Sequence, residues 1–210
     1  MTALRLYNRL FEIGLIVGSS GNVSTRSRNG MTITPSGGAP GGVAPRDMAR
    51  MALDGTRLNK ATPSSEWDMH AAIYRTMPDA GCVIHTHADA CTALACLNED
   101  LPPFHYMVVQ FGGANVRCAP YVTFGTSDLA AKALEALQDR TACLLANHGM
   151  LVYGRDPDQA LSRAILLESL CRQYLLARAA GTVRLLSNDE IAAAIERVKT
   201  SGPRAERTKS

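Results

Sequence analysis

The apolar positions along the chain follow two periodicities, one helical and one strand-like. Helical spacing behind capping residues predicts helices over 64–77, 127–139, 156–181 and 188–199. Residues 1–18 mix apolar residues with Arg5, Arg9 and Glu12, which is typical of an amphipathic helix and not of a signal peptide. Short apolar runs bounded by Gly, Pro and Asn predict strands over 22–26, 31–34, 82–87, 105–110, 115–118, 142–146 and 150–153. Together these elements indicate a mixed α/β sheet with covering helices.

Composition narrows the class of protein without naming an activity. The chain has 210 residues and a formal net charge of +3, which suits one domain over residues 1–200 followed by a basic tail, residues 201–210, expected to be flexible. Because no basic stripe with interleaved aromatic residues occurs, a nucleic-acid partner is not expected. No apolar run reaches the length of a membrane span. The six cysteines form no Cys-x-x-Cys pair, which predicts buried, reduced thiols and a cytoplasmic location.

Two histidines of the predicted strand 82–87 carry the first candidate chemistry. Side chains alternate along a strand, so His85 and His87 project from one face and can bind one metal ion together. His148 ends another apolar run, and a third nitrogen from it would leave an open position of the kind that a catalytic zinc needs. The alternative is that each is a hydrogen-bonded histidine of the core or of a turn. The absence of a carboxylate cluster argues against calcium.

Hydroxyl and glycine residues near Glu66 suggest an anion site beside the metal. Ser64 and Ser65 open a predicted helix, where free N–H groups favour a phosphate, although they also serve as ordinary caps. Glu66 is a candidate general base, although a glutamate in a first helical turn often only complements the helix dipole. The glycine-rich segments 18–22 and 34–37 match no nucleotide-binding fingerprint. They supply backbone N–H groups together with polar side chains that suit a phosphate, from Ser19, Asn22 and Ser36.

Taken in order, seven segments resemble the class II aldolase/adducin family over roughly residues 8–200. They are SSGNVSTR (19–26), MTITPSG (31–37), PSSEWDMHAAIY (63–74), VIHTHADACTAL (83–94), FHYMVVQFGG (104–113), CAPYVTFGT (118–126) and ANHGMLVYG (146–154). No single segment is decisive, but the ordered set is specific. The resemblance implies a three-layer αβα fold with a central mixed, largely antiparallel sheet, and a homotetramer with active sites at subunit interfaces.

The resemblance also implies a role for each matching residue. One zinc ion per subunit would be held by His85, His87 and His148. Glu66 would be the catalytic carboxylate, Tyr106 would reach the site of a neighbouring subunit, and Phe124 would lie near the substrate. The phosphate of a small sugar would be bound by Ser19, Asn22, Ser36, Gly37, Ser64 and Ser65. The expected reaction is metal-assisted cleavage of a ketose 1-phosphate to dihydroxyacetone phosphate and an aldehyde, without a lysine Schiff base.

The chain departs from the family pattern at its C-terminal end. Ser201 stands where the aldolases carry a mobile tyrosine near the aldehyde, so the identity of the aldehyde stays open. Related epimerases carry aspartate after the two serines, and Glu66 therefore favours the aldolase. Decarboxylases of phosphorylated sugar acids share the three histidines and remain an alternative. An adducin-like interaction module without a metal is disfavoured because all three histidines are present.

Overall fold

The computed structural model describes the backbone of residues 1–201 and the side chains of residues 1–200. Its helices are α1 (Ala3–Glu12), α2 (Trp67–Thr76), α3 (Asp89–Ala95), α4 (Ser127–Ala136), α5 (Pro157–Ala180) and α6 (Asn188–Ser201). Its strands are β1 (Asn22–Ser27), β2 (Gly30–Ile33), β3 (Ala49–Met51), β4 (Cys82–Thr86), β5 (Cys118–Ala119), β6 (Ala142–Leu145) and β7 (Gly149–Gly154). Two short 3-10 helices, Pro45–Asp47 and Tyr106–Phe111, lie between these elements. The predicted tail lies outside the described residues from 202 onward.

The strands form one seven-stranded sheet in the order β3-β2-β1-β4-β7-β6-β5. Every neighbouring pair is antiparallel except β5 and β6, which are parallel. Helices α1, α3 and α5 pack on one face, and α2 and α4 pack on the other. Successive residues of β4 show the two layers, because Ile84 belongs to the first core and Val83 to the second. The expected three-layer αβα arrangement is therefore confirmed.

Two helix starts follow the predicted capping chemistry. The Asp156 carboxylate accepts a hydrogen bond from the Gln159 backbone N–H at 2.8 Å, with Pro157 as the first residue of α5. Before α6, Ser187 Oγ accepts from the Glu190 N–H at 3.2 Å and Glu190 Oε2 accepts from the Ser187 N–H at 2.8 Å.

Among residues 1–201 no helix combines the length and the apolar character needed to cross a membrane.

Two predicted elements differ in the structure. Residues 105–110 were expected to form a strand, but Tyr106–Phe111 is a 3-10 helix. It begins where the His105 ring accepts from the Met107 N–H and ends at Gly112, and its three-residue period buries Val108 and Phe111 together. The helix predicted over 64–77 begins only at Trp67, because Ser64 and Ser65 form a turn in which Ser64 Oγ accepts from the Glu66 N–H.

Other elements were missed or lie at different bounds. The sequence analysis missed α3, a short alanine-rich helix directly after a strand, and β3, an edge strand of three residues. The predicted strand 115–118 is a short β5 preceded by an isolated bridge between Leu101 and Val116. All six cysteines are free thiols, but Cys96 is exposed and Cys118 is half-buried, so the expectation of burial holds for the other four.

A buried carboxylate of α5 determines where α3 begins. Glu168 is 6 % exposed, and its two oxygens accept hydrogen bonds from the N–H groups of Ala90 and Cys91, both at 2.9 Å. Both N–H groups belong to the first turn of α3, where the helix itself provides no acceptor for them. The same contact holds the chain just after His87, so it also supports the candidate metal site.

We expect Glu168→Ala to lower the free energy of unfolding by about 1.5–3 kcal/mol, because two buried N–H groups lose a charged acceptor. Glu168→Gln should lose less, since one amide oxygen can still accept. Glu196→Ala, an exposed glutamate of α6, is the matched control and should change stability by less than about 0.5 kcal/mol. Urea unfolding at one protein concentration measures all three, and equal losses for Glu168→Ala and Glu196→Ala would contradict the assignment.

Candidate active site

A cavity of about 340 Å³ opens beside the ends of β1 and β4. Its walls come from residues of the segments 19–22, 35–37, 64–66, 121–124 and 147–148, together with His87. A larger groove of about 1180 Å³ lies beside the start of α1 and contains none of these residues. Every residue predicted to bind phosphate lines the smaller cavity, namely Ser19, Asn22, Ser36, Gly37, Ser64 and Ser65. Glu66, His87, His148 and Phe124 line it as well.

The three predicted metal ligands come together at this cavity. The ring centroids of His85, His87 and His148 are 4.7–5.0 Å apart in each pairing. One donor atom from each ring lies within 4.8 Å of the other two. His85 is completely buried in β4, His87 follows the end of that strand, and His148 precedes the neighbouring β7. The structure therefore brings His148 to the His85–His87 pair, although His148 lies 61 positions after His87 in the chain.

The turn between β6 and β7 has the backbone geometry that delivers His148. Asn147 adopts a left-handed conformation with φ 53°, which asparagine tolerates better than most residues. A Cβ atom on Gly149 would lie 2.4 Å from the Thr86 carbonyl oxygen and 3.1 Å from the His87 ring. Only glycine fits where the turn approaches the end of β4 so closely. The Asn147-His148-Gly149 sequence is thus what allows the third imidazole to reach the other two.

Hydrogen bonding and burial prepare the three rings as neutral donors. His85 Nδ1 lies 2.9 Å from the Met150 carbonyl oxygen, which can only accept, so Nδ1 carries the proton and Nε2 presents a lone pair. Burial lowers the pKa of His85 and of His87 below the usual value. Burial likewise lowers the pKa of His148 to about 4. At neutral pH the three rings therefore face one point as uncharged nitrogen ligands.

The carboxylate of Glu66 faces the same point as the three rings. Its Oε2 lies 3.2 Å from His85 Nε2, and its Oε1 lies 3.3 Å from His148 Nε2. The Asn22 amide donates to Oε2 at 2.8 Å. Burial by itself would raise the pKa of Glu66, but the nearby His85 and the Asn22 hydrogen bond outweigh it and lower that pKa. Glu66 is consequently an ionised carboxylate at neutral pH.

This donor set fits a divalent transition metal. Glu66 Oε1 is buried and makes no hydrogen bond to any of the residues that the structure describes. His85 Nε2 and His87 Nε2 lie 3.1 Å apart, so two nitrogen atoms with lone pairs crowd the same space as the carboxylate. A cation among them would relieve this repulsion and satisfy the orphaned oxygen. Three imidazoles favour zinc or a similar transition metal over calcium or magnesium.

The aromatic residues divide between the cavity and the outer surface. Phe124 lies at the cavity, 64 % exposed, beside Tyr121, which the sequence analysis did not single out although it belongs to the same segment CAPYVTFGT. Tyr106 lies outside the cavity, 55 % exposed and stacked on His105. Within one chain the structure therefore does not bring Tyr106 to the predicted site.

His70, which is buried behind Asn22, was not predicted as a site residue, although it stands one helical turn after Glu66.

The chain is similar to known proteins along most of its length. The family model described as Class II Aldolase and Adducin N-terminal domain matches residues 2–175. The 5-methylthioribulose-1-phosphate/5-deoxyribulose-1-phosphate aldolase of Rhodospirillum rubrum is 41 % identical over 194 residues, covering 92 % of this chain and 88 % of the relative. The L-fuculose phosphate aldolase of Escherichia coli (strain K12) is 40 % identical over 196 residues, covering 93 % and 91 %. A solved L-fuculose 1-phosphate aldolase superposes with a TM-score of 0.89 at 36 % identity, covering 94 % of both chains.

We expect one divalent metal ion per chain, with Co²⁺ as a visible probe of the histidine ligands. His148→Ala should weaken Co²⁺ binding by at least about 10-fold, since even an outer partner of a metal ligand typically contributes 10–100-fold. His105→Asn is the matched control, because His105 lies outside the cavity and asparagine can keep its capping role. Absorption titration of the metal-free proteins measures this, and equal affinity in both variants would rule out His148 as a ligand.

Proposed function

The chain belongs to the class II aldolase and adducin family, as a ketose 1-phosphate aldolase, and we propose that it uses one zinc ion per subunit to release dihydroxyacetone phosphate and an aldehyde. The observation that carries the proposal is the single cavity in which the histidine triad, Glu66 and all six predicted phosphate-binding residues meet. It joins a Lewis-acid site, a buried carboxylate and an anion site within the length of a small sugar phosphate. The reaction class is that of an aldehyde-lyase.

His85 would hold the zinc ion through Nε2, together with one ring nitrogen each from His87 and His148. Bound there, zinc would supply Lewis-acid chemistry to the carbonyl end of the substrate and lower the energy of the negative charge that develops as the carbon–carbon bond breaks. The chain's own part is to keep three neutral nitrogens in place. The Met150 carbonyl does this for His85 by fixing its tautomer, and the Gly149 turn does it for His148.

Glu66 would move the proton at the reacting carbon of the dihydroxyacetone phosphate half. Its carboxylate is ionised and 7 % exposed, and it lies within 3.3 Å of two ligand nitrogens, so a substrate held by the metal would lie against it. In condensation the ionised carboxylate would take a proton from this carbon while the aldehyde-side oxygen gains one, and in cleavage the protonated Glu66 would return the proton to the carbon while that oxygen loses its own. Asn22 orients that carboxylate through its hydrogen bond to Oε2.

The phosphate would be bound by neutral donors. The cavity lining contains serine hydroxyls, the Asn22 amide and backbone N–H groups, and none of its lining residues is lysine or arginine. Gly37 adopts a left-handed conformation with φ +67°, one of the backbone conformations found in anion-binding nests. Ser64 and Ser65 stand just before α2, at the positive end of that helix. Anchoring the phosphate there would align the reacting bond with the metal and Glu66.

The aldehyde end of the substrate would lie among aromatic residues, one of them from a neighbouring subunit. We propose a homotetramer in which Tyr106, exposed on one chain, enters the site of a neighbouring subunit and exchanges a proton with the aldehyde-side oxygen. Phe124 would border the same end of the substrate. The side chain of Ser201 lies outside the described residues, so its expected effect on the aldehyde pocket stays a prediction. The six free cysteines support a cytoplasmic, reducing location.

The chemistry of the product separates this proposal from decarboxylation within the same family. A screen of ketose 1-phosphates should include L-fuculose 1-phosphate, 5-deoxyribulose 1-phosphate and its methylthio analogue. Release of dihydroxyacetone phosphate from one of them, followed enzymatically, supports the aldolase. Release of carbon dioxide from a sugar-acid phosphate, with no cleavage of any ketose, would replace it by a decarboxylase.

Glu66→Gln should reduce turnover of the best ketose 1-phosphate by about 10²–10⁴-fold, because the amide cannot accept the proton. The metal content and the fold should be kept, since glutamine has the same size and can still meet Asn22. Glu12→Gln, an exposed glutamate of α1, is the control and should leave turnover unchanged. Activity of the Glu66 variant within a few-fold of wild type would refute the role as base.

Tyr106→Phe should lower turnover by at least about 10²-fold, the lower bound for a lost acid–base group, while sedimentation shows an unchanged tetramer. Tyr174→Phe is the control, because that ring lies in the core beside Phe104 and away from the cavity. A wild-type protein that is fully active as a monomer would contradict a site shared between subunits.

A further inference from the structure

A chain of buried polar side chains runs from the active-site carboxylate into the core between β1 and α2. Its members alternate between the helix segment and the strand, in the order Glu66, Asn22, His70, Ser24 and Tyr74. All five are 7 % exposed or less, and Ser24 and His70 are completely buried. Polar groups are costly to bury, so a row of five between apolar cores calls for a specific role.

Each neighbouring pair in this chain is within hydrogen-bonding distance. Asn22 Nδ2 lies 2.8 Å from Glu66 Oε2, and Asn22 Oδ1 lies 2.6 Å from His70 Nε2. His70 Nδ1 lies 2.7 Å from Ser24 Oγ, which lies 2.8 Å from the Tyr74 hydroxyl. The contacts use both ring nitrogens of His70 and both ends of the Asn22 amide.

The repeats of the two elements explain why the residues interleave. Glu66, His70 and Tyr74 are four residues apart, which places them on one face of the helix about 6 Å apart. Asn22 and Ser24 are two residues apart on one face of the strand, about 6.6 Å apart. Because the two repeats nearly match, each strand residue fits between two helix residues.

The chemistry of the end groups gives the hydrogen bonds one direction. A carboxylate accepts, so Asn22 must turn its NH₂ toward Glu66 and its oxygen toward His70. That oxygen also accepts, so His70 must carry its proton on Nε2. Burial lowers the pKa of His70 to about 3, so the ring is neutral and Nδ1 is free to accept from the Ser24 hydroxyl. Ser24 in turn accepts from Tyr74.

We propose that His70 is a positioning residue that holds the Asn22 amide in the one orientation that supports Glu66. Without the His70 N–H, the Asn22 oxygen is left buried without a donor and the amide is held only by its bond to Glu66, so it can turn away from the carboxylate. The same rotation would take the amide hydrogens away from the cavity that Asn22 lines. The effect on turnover rests on the proposed function of Glu66 as a base, whereas the orientation of the amide does not.

The orientation is tested by NMR on the wild-type protein with ¹⁵N-labelled histidine. A neutral His70 ring protonated at Nε2 is expected, with its Nδ1 shifted as an acceptor. In Asn22→Ala this tautomer should lose its preference, because the oxygen that requires the Nε2 proton is gone, and in His70→Leu the Asn22 side-chain amide resonances should shift or broaden. A neutral His70 ring protonated at Nδ1 would overturn the proposal whatever reaction the protein catalyses.

The action through Asn22 is tested by a double-mutant cycle on cleavage of the best ketose 1-phosphate. His70→Leu should lower kcat by about 10–100-fold, the usual effect of a residue that orients an active-site group, with metal content unchanged. His70→Gln, whose amide can donate to Asn22, should recover most of that loss. In an Asn22→Ala background, His70→Leu should cost less than about 3-fold, because the residue it orients is gone.

Equal costs of His70→Leu with and without Asn22 would mean that His70 only fills the core, and would overturn the proposal. Tyr74→Phe should change kcat by less than about 3-fold, since Ser24 keeps its hydrogen bond to His70 in that variant. If His70→Leu does not fold, the positioning role of His70 is still tested by the kcat of His70→Gln and by the tautomer of the wild-type ring. If no ketose 1-phosphate is cleaved, the proposed function fails while the NMR result decides the positioning role on its own.

Discussion

The pairing of β1 with β4 is the constraint on which the site depends. In this register Asn22 lies directly opposite His85, so both side chains emerge on the face that α2 covers. A slip of one residue would turn His85 toward α5 and bring the apolar Ile84 to the metal position. The next pairing, β4 with β7, matches Thr86 with Met150 and so brings His148 alongside the end of β4. Asn22 and the three histidines take their relative places from these two registers.

Electrostatics explains why so many polar groups tolerate burial at this point. Three neutral imidazoles, one carboxylate and one amide would repel or remain unpaired in an apolar interior. Three of them have a defined partner on their outer side: the Met150 carbonyl for His85, Asn22 for Glu66, and His70 for Asn22. The remaining lone pairs converge on one point, which is the arrangement that a divalent cation stabilises. The buried polar chain and the metal position are therefore two halves of one arrangement.

The cavity is buried at the end formed by Glu66 and the histidines and exposed to solvent at the other end. Glu66 and His85 are buried, whereas Tyr121 and Phe124 are more than 60 % exposed at the mouth. Exposed aromatic rings at the edge of a polar cavity favour contact with another surface. This contrast supports the proposed site shared between subunits, in which a neighbouring chain would enclose the aldehyde half of the substrate. The two named relatives differ in that half, because the name of one specifies a methylthio or deoxy sugar and that of the other L-fuculose.

Local spacing was sufficient to predict the His85–His87 pair, the caps of α5 and α6 and the layered α/β class, because a period of two or of 3.6 residues records which face is buried. It failed for Tyr106–Phe111, where an apolar run fits a strand as well as a 3-10 helix and burial of Val108 and Phe111 decides. It did not reveal His70, because a buried histidine in a helix looks like any core residue until Asn22 and Ser24 stand beside it. Only the tertiary structure decided which distant faces meet, since strand register and helix packing depend on contacts between segments far apart in the chain.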